Sequence, residues 1–241
     1  AGGFRIDGIR IGDVQLDGTY FAEEDSAAGG AAAGQLGGFL SAVGGFGEQK
    51  GLLDYSNGGL IGGIDYQFTE ALIGGLSINW INTNTTFVGN SGGADRDTYG
   101  ATLYTGYSEG HLNVDALFNY SFSDYDMTRS IAAGDVASGI NNSDEIFLSA
   151  SASYDLEAAG FKVGPAVRVD FVKVWMDSYS ETGAADANNN ATYNAFDVTS
   201  FTTDVGGEAS YDLKLDSGLF TPRVYGYWVH EFQNDSQTLS G

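Results

Sequence analysis

From residue 97 to residue 123 the chain reads DTYGATLYTGYSEGHLNVDALFNYSFS, two alternating runs joined by a tight turn. In the second run Leu112, Val114, Ala116, Phe118, Tyr120 and Phe122 share one face, while Asn113, Asp115, Asn119 and Ser121 share the other. Successive side chains of a strand point to opposite sides, so the pattern predicts one apolar face and one wet face. The first run does the same less cleanly: Tyr99, Ala101, Leu103, Thr105 and Tyr107 oppose Thr98, Gly100, Thr102, Tyr104 and Gly106. About ten such residues, tilted, cross the hydrocarbon of a bilayer. A soluble sheet can alternate in the same way, so the weight rests on repetition along the chain.

That repetition is present. Nine strand-like runs follow one another without a helical interruption, at 39–47, 60–68, 72–83, 98–108, 112–122, 145–156, 162–175, 198–213 and 220–232. Their connections alternate in length. Residues 69–71, 109–110, 157–160 and 214–218 are short turns, whereas 48–59, 84–97, 123–144 and 176–197 are long polar segments, read here as loops. Short turns on one rim and long loops on the other are the pattern of an outer-membrane barrel, whose turns face the periplasm. The fold class predicted is all-β: an up-and-down antiparallel transmembrane β-barrel with long loops at the cell surface.

Alternation then assigns facing. In the seventh run Val163, Val167, Val169 and Phe171 face lipid, leaving Arg168 and Asp170 inside. In the eighth, Phe201, Val205, Ala209 and Tyr211 lie outside while Asp204 and Glu208 point inward. In the ninth, Val224 and Trp228 oppose Arg223, Tyr225 and Glu231. With Asp115 from the fifth run, the candidate lumen-lining residues are Asp115, Arg168, Asp170, Asp204, Glu208, Arg223 and Glu231. An Arg or Lys on the lipid face at mid-membrane costs about 2–4 kcal/mol, so this sorting has energetic weight. Phe68, Trp80, Tyr107, Tyr154, Trp175 and Phe232, near run ends, are candidates for interfacial aromatic girdles. Pro165 and Pro222, the two prolines, follow short turns, where a missing donor does least damage.

Composition narrows the picture further. Among 241 residues there are 15 Phe, 14 Tyr and 36 Gly, a mixture that favours strands with frequent turns. No stretch approaches the ~18 apolar residues of a spanning helix, so insertion in a membrane requires a closed barrel. The net charge of −22 opposes nucleic-acid binding, because phosphates are repelled. The excess carboxylates are placed in solvated loops, for example Asp177, Glu181 and Asp186, or along the lumen. They show no spaced calcium loop. Cysteine is absent, which removes disulfides and thiolate metal sites.

Candidate chemistry is thin. Residues 106–110 match G-x-S-x-G, but a nucleophile elbow requires a following helix and His111 opens another strand, so the motif reads as a turn. His111 and His230 lack partners at metal-ligand spacing, and His230 reads as a rim residue. Residues 141–142 and 188–190, runs of Asn, read as solvated turns. No catalytic, cofactor-binding or metal-binding residue is assigned, and no enzymatic activity is expected.

Ahead of the strands, residues 1–21 alternate around Phe4, Ile6, Ile9, Ile11, Val14 and Leu16, as a short hairpin or the end of an exported β-rich domain would. Residues 23–35, EEDSAAGGAAAGQ, read either as a flexible linker or as a segment slim enough to lie inside a narrow pore. The expected division is therefore 1–35, passenger end and linker, and 36–241, barrel.

Five stretches in order resemble the translocator β-domain of bacterial autotransporters, the type V secretion family. They are GGIDYQFTEALIGGLSINW at 62–80, DTYGATLYTGY at 97–107, the run 112–129 with its Asp-Tyr-Asp-x-Thr-Arg ending, VGPAVRVDF at 163–171, and LFTPRVYGYWVHEF at 219–232. The resemblance implies a twelve-stranded barrel, of which about nine strands are present, with the C-terminal ones expected to be missing. It implies an outer-membrane protein that anchors a passenger and exports it to the bacterial cell surface, with outer-membrane lipid, its own passenger segment and the outer-membrane assembly machinery as partners and no cofactor. The linker lacks the paired Asn at which some members cleave themselves, so self-cleavage is not expected. Two other readings are a passive outer-membrane pore and an extracellular structural or adhesive fibre-forming β protein.

Overall fold

The computed structural model describes residues 10–11, 14–15, 34–131, 134–158, 161–211, 213–215 and 218–233. Nine long strands dominate: β1 (Leu36–Gln49), β2 (Leu53–Gln67), β3 (Leu72–Phe87), β4 (Gly92–Glu109), β5 (Leu112–Ser130), β6 (Val136–Tyr154), β7 (Phe161–Met176), β8 (Phe196–Tyr211) and β9 (Arg223–Glu231). Each pairs antiparallel with its successor in chain order, which makes one up-and-down sheet. All nine expected runs are present and in order.

One rim is turned as the sequence predicts. β2 and β3 are joined by residues 68–71, and β4 and β5 by Gly110 and His111, with Gly110 in the left-handed region at φ 61° that glycine tolerates. After a break at Asp155, Leu156–Ala158 continues β6 and pairs with the start of β7. Pro165 falls in the gap between that short ladder and the main β6–β7 ladder, which opens at Ala166 and Ser153. Its missing N–H therefore coincides with a place where the ladder is already interrupted.

The opposite rim corrects the sequence reading. The segments 48–59, 84–97 and 123–144 are not loops: β1 runs to Gln49 and β2 starts at Leu53, β3 reaches Phe87 before β4 starts at Gly92, and β5 reaches Ser130 before β6 starts at Val136. The cue was lost because both faces of these extensions are polar. Asn82, Asn84, Asp95, Asp97, Asp124 and Asp126 occupy the positions that carry apolar residues lower on the same strands. Backbone pairing continues regardless, reinforced by cross-strand bonds such as Asn82 Nδ2 to Asp95 Oδ1 at 2.8 Å and Thr98 Oγ1 with Ser123 Oγ at 2.9 Å. The segment 177–195 is the longest excursion on this rim, and even there Tyr179–Ser180 pairs with Thr192–Tyr193.

Arg10–Ile11 pairs with Val14–Gln15, in keeping with a short hairpin in the N-terminal segment. The linker at 23–35 falls, up to residue 33, outside the described residues.

Register decides which residues share a face. Ile64, Leu76, Leu103, Phe118, Leu148, Phe171 and Phe201 stand opposite one another from β2 to β8 as one unbroken apolar row. These side chains do not enter a core: Leu76 is 50% exposed, Leu103 60% and Phe118 42%. One residue along each strand lies a row of the other face: Asp65, Gly75, Tyr104, Leu117, Ser149, Asp170, Thr202 and Glu231. Buried hydrophobic residues on that second face are few, chiefly Leu117, Phe147 and Val172 with Tyr104 and Val174 against them. A sheet with its apolar side bare and its ionised side sheltered has no aqueous solution that satisfies both faces.

Candidate functional site

By register, all seven candidate residues share the face opposite the apolar row, with Arg223 exposed on the edge strand β9. Asp115 of β5, Ser151 of β6, Arg168 of β7 and Asp204 of β8 are consecutive register partners, so they form a transverse row. Arg168 Nε donates to Asp170 Oδ1 at 2.9 Å, and Ser151 Oγ lies 3.5 Å from Asp115 Oδ2. Arg223 of β9 reaches Glu208 of β8 across the ladder at 3.7 Å. Glu231 accepts from Ser200 Oγ at 2.6 Å and from the Phe201 amide at 2.8 Å. These contacts are short-range and local, and each opposes charge or satisfies an acceptor without closing a binding cavity around one ligand.

Sequence reasoning missed other ionised residues on this face. Asp65, buried at 7% exposure, lies over Gly37, where a Cβ would come within 2.3 Å of its carboxylate, and belongs to the row of Tyr104 and Asp170. Parity from Leu60 and Ile64 would have found it. Arg96, whose guanidinium carbon is 5.9 Å from the Tyr125 ring centroid, sits in a strand extension read as a loop, so no parity was carried to it, while Glu145 opens the run 145–156 on the face of Phe147.

Two aromatic belts bound the bare apolar face. Tyr66, Tyr107, Tyr154, Phe161 and Tyr211 lie toward the short turns, with Phe68 edge-on to Tyr66 at 5.1 Å. Trp80, Tyr99, Phe122 and Trp175 lie toward the other rim, and Trp80 Nε1 donates to Asp97 Oδ1 at 2.9 Å. Along β4 the belts at Tyr107 and Tyr99 are eight residues apart, about 27 Å of strand and about 20 Å of height at barrel tilt. Among the described strand residues Lys173 is the only Lys or Arg on this face. It stands at the upper belt with Nζ 2.9 Å from Asp197 and 5.4 Å from the Trp175 ring. That is where an ammonium can reach water.

Above the upper belt the extended wall carries a charge pair, a buried carboxylate under a half-buried guanidinium, in segments that the sequence reads as solvated loops. Glu181 is 7% exposed; Arg129 Nε donates to both its oxygens at 2.9 and 3.2 Å, and the Ala191 amide donates to Oε2 at 2.9 Å. Those hydrogen bonds hold the Glu181 carboxyl below the usual glutamate range, and burial pushes the neighbouring Tyr179 hydroxyl up to about 12. Asn141, read as a turn residue, is a buried residue of β6. Asn188 and Asn189 do turn the chain, in a short helix capped by the Asp186 side chain.

Ser108 of the G-x-S-x-G match hydrogen-bonds Asn113 at 2.8 Å, at the end of β4, and a turn follows it. His111 packs on Tyr154, and His230 lies between Trp228 and Phe232, at the end of β9. Among the described residues no group of three or more His, Cys, Asp or Glu is placed to hold a metal ion.

The family model of the autotransporter β-domain matches residues 37–241. No curated protein sequence matches the chain. Among solved structures it is similar to the translocator domain of the autotransporter NalP from Neisseria meningitidis, at 16% identity and a TM-score of 0.64, over 89% of this chain and 74% of that one. It is also similar to the β-domain of the Bordetella autotransporter BrkA, at 16% identity and a TM-score of 0.57, over 84% and 81% of the two chains. With its bare apolar belt, sheltered charges and up-and-down order, the chain belongs to the autotransporter β-domain family, outer-membrane translocator barrels that export a covalently linked passenger to the cell surface.

Proposed function

We propose that the ionised face of β5–β9 lines the channel through which the passenger segment passes, with Asp115, Arg168, Asp170, Asp204, Glu208, Arg223 and Glu231 as its wall. The observation that carries this reading is the transverse row Asp115, Ser151, Arg168 and Asp204, three residues from the exposed apolar row, and so on the opposite face, on every strand it crosses. Residues 1–35 are then the passenger end and linker, and residues 26–35, free of charge and rich in Ala and Gly, are the part that rests in the channel. The wall offers replaceable hydrogen bonds and local ion pairs rather than a shaped cavity, which suits a conduit through which different sequences slide. The domain acts by containment and does no chemistry on its cargo. An assembly machine in the outer membrane inserts it, since strands of this kind expose unpaired edges until the barrel forms.

The chain has no cysteine, so an engineered pair is unambiguous. With Ala31→Cys and Ser151→Cys in the full chain in native outer membranes, the reading requires an intrachain disulfide under mild oxidation. A control pairing Ala31→Cys with Leu148→Cys on the apolar face must give none. Equal yields in the two pairs, or none in either, would remove the linker from the channel.

A further inference from the structure

The ladder between β7 and β8 ends at Met176 and Phe196 and resumes at Tyr179 and Tyr193, three residues on in each leg, so no residue is gained or lost across the break. Asp177, Ser178, Asn194 and Ala195, in the break, are all exposed. The tip beyond it is thus a continuation of the same hairpin on two short stems outside the ladder, the first tied to β6 where the Asp177 amide donates to the Asn142 carbonyl at 3.0 Å. Beside it, β6 offers no continuing ladder: a single bridge joins Ser138 and Thr182, through two backbone hydrogen bonds of 2.8 Å. That bridge is out of step by one residue with the β6–β7 register, in which Met176 faces Ser143.

What fastens the tip is mainly Arg129. Its guanidinium spans Ala137 of β6, which is fully buried beneath it, and binds both legs of the hairpin at once: Glu181 on the first and the Asn189 carbonyl, at 2.8 Å from Nη2, near the second. Gly139 leaves the space that Tyr179 fills, since a Cβ there would come within 2.8 Å of the ring. Tyr179 in turn stacks on Tyr193 at 4.7 Å. The Ala185 amide adds one bond to Asp135 at 2.9 Å.

We propose that residues 179–193 form a hinged flap at the outer mouth of the channel, and that Arg129 is the latch that keeps the flap in line with the wall and clear of the opening. The proposal rests on the channel reading above for its meaning, but its geometry stands apart from it. Without the latch the backbone bridge, the Ala185–Asp135 bond and the bond from the Asp177 amide to the Asn142 carbonyl at 3.0 Å remain, and the stem residues beyond Asp177 and at 194–195, outside any ladder, let the tip swing across the mouth. An antiparallel hydrogen-bonded pair such as Ser138 and Thr182 has a Cα separation of about 5.5 Å, inside the range a disulfide spans, so the flap can also be locked covalently.

Hydrogen exchange on the full chain in phospholipid vesicles tests this. In Arg129→Met, which keeps the aliphatic stem, the amides of Ser138 and Thr182, each bonded to the other's carbonyl across the seam between flap and wall, should exchange roughly tenfold faster or more, while those of Leu117, Phe147 and Val172 stay unchanged. Adding Ser138→Cys with Thr182→Cys and oxidising should restore protection. On cells, surface display of a fused passenger should fall in Arg129→Met and recover in the oxidised lock. Unchanged exchange at the tip, or equal acceleration throughout the wall, overturns the latch. Faster exchange with undiminished display overturns the gate. The exchange measurements need no export, so a failure of the channel reading shows separately, as an unaltered latch with no display even in the unmutated chain.

Discussion

Leu103 stands at the middle of the apolar row, between Leu76 and Phe118 and midway between Tyr99 and Tyr107 on its own strand. Sixty per cent exposed, it has lipid as its only apolar neighbour over most of its surface. Leu103→Arg should therefore lower unfolding free energy in bilayers by about 2–4 kcal/mol, whereas Asn119→Arg, on the sheltered face of β5, should cost markedly less. Reversible urea titration in vesicles distinguishes them, and equal losses would mean that the two faces are not differently solvated. A second single-residue expectation concerns Glu181. Its carboxyl is held below the ordinary glutamate range by the hydrogen bonds from Arg129, so the folded state favours the ionised form. A depressed folded pKa gives stability that is complete above the unfolded value and is lost as pH falls through the folded one. Protection of the Thr182 and Ala191 amides should thus persist as pH falls through the ordinary glutamate range and fail only below it; loss of protection above that range would contradict the charge-assisted clamp.

At the scale of strands, the membrane-crossing parts were legible and their extensions were not. The run 112–122 announces itself because Leu112, Val114 and Phe118 alternate with Asn113, Asp115 and Asn119, and lipid enforces that contrast. Beyond Phe122 no such contrast exists: Asp124 and Asp126 face outward and Tyr125 and Arg129 inward, all of them polar or ionised at one end. Periodicity of hydrophobicity measures a difference between two solvents, and above the bilayer both sides are water. For the same reason parity assigned a face to the candidates within the membrane, while Arg96 and the Arg129–Glu181 pair, in segments read as loops, received none. The structure makes a distinct forecast for protease added to intact cells. Cleavage should concentrate at 50–52, 88–91, 134–135 and 183–191, and spare 93–97, 124–130 and 136–143, which are paired on both or one side. Cuts spread evenly through 84–97 and 123–144 would favour the loops that the sequence alone predicts.

For the whole molecule, the physical problem is how a chain with few long apolar runs and a net charge of −22 lives in a membrane. The answer is geometric: every second residue of each crossing strand meets lipid, so a moderate content of Leu, Ile, Val and Phe suffices, and carboxylates are distributed to the other face and to the wall beyond the upper aromatic belt. Order of strands, turn-side connections and which residues share a face could be read from residues alone, because each follows from alternation. The hinge at 177–178 and 194–195 could not, since it depends on which neighbour a polar segment pairs with. The most direct test of the account is a nitroxide scan of β5 at positions 112–121, one cysteine at a time in the full chain in bilayers. Accessibility to oxygen should peak at 112, 114, 116, 118 and 120, and accessibility to a water-soluble nickel chelate at 113, 115, 119 and 121, the two profiles opposite in phase with a period of two. Profiles in phase with each other, or oxygen maxima at Asp115 and Asn119, would contradict a sheet whose apolar side faces lipid.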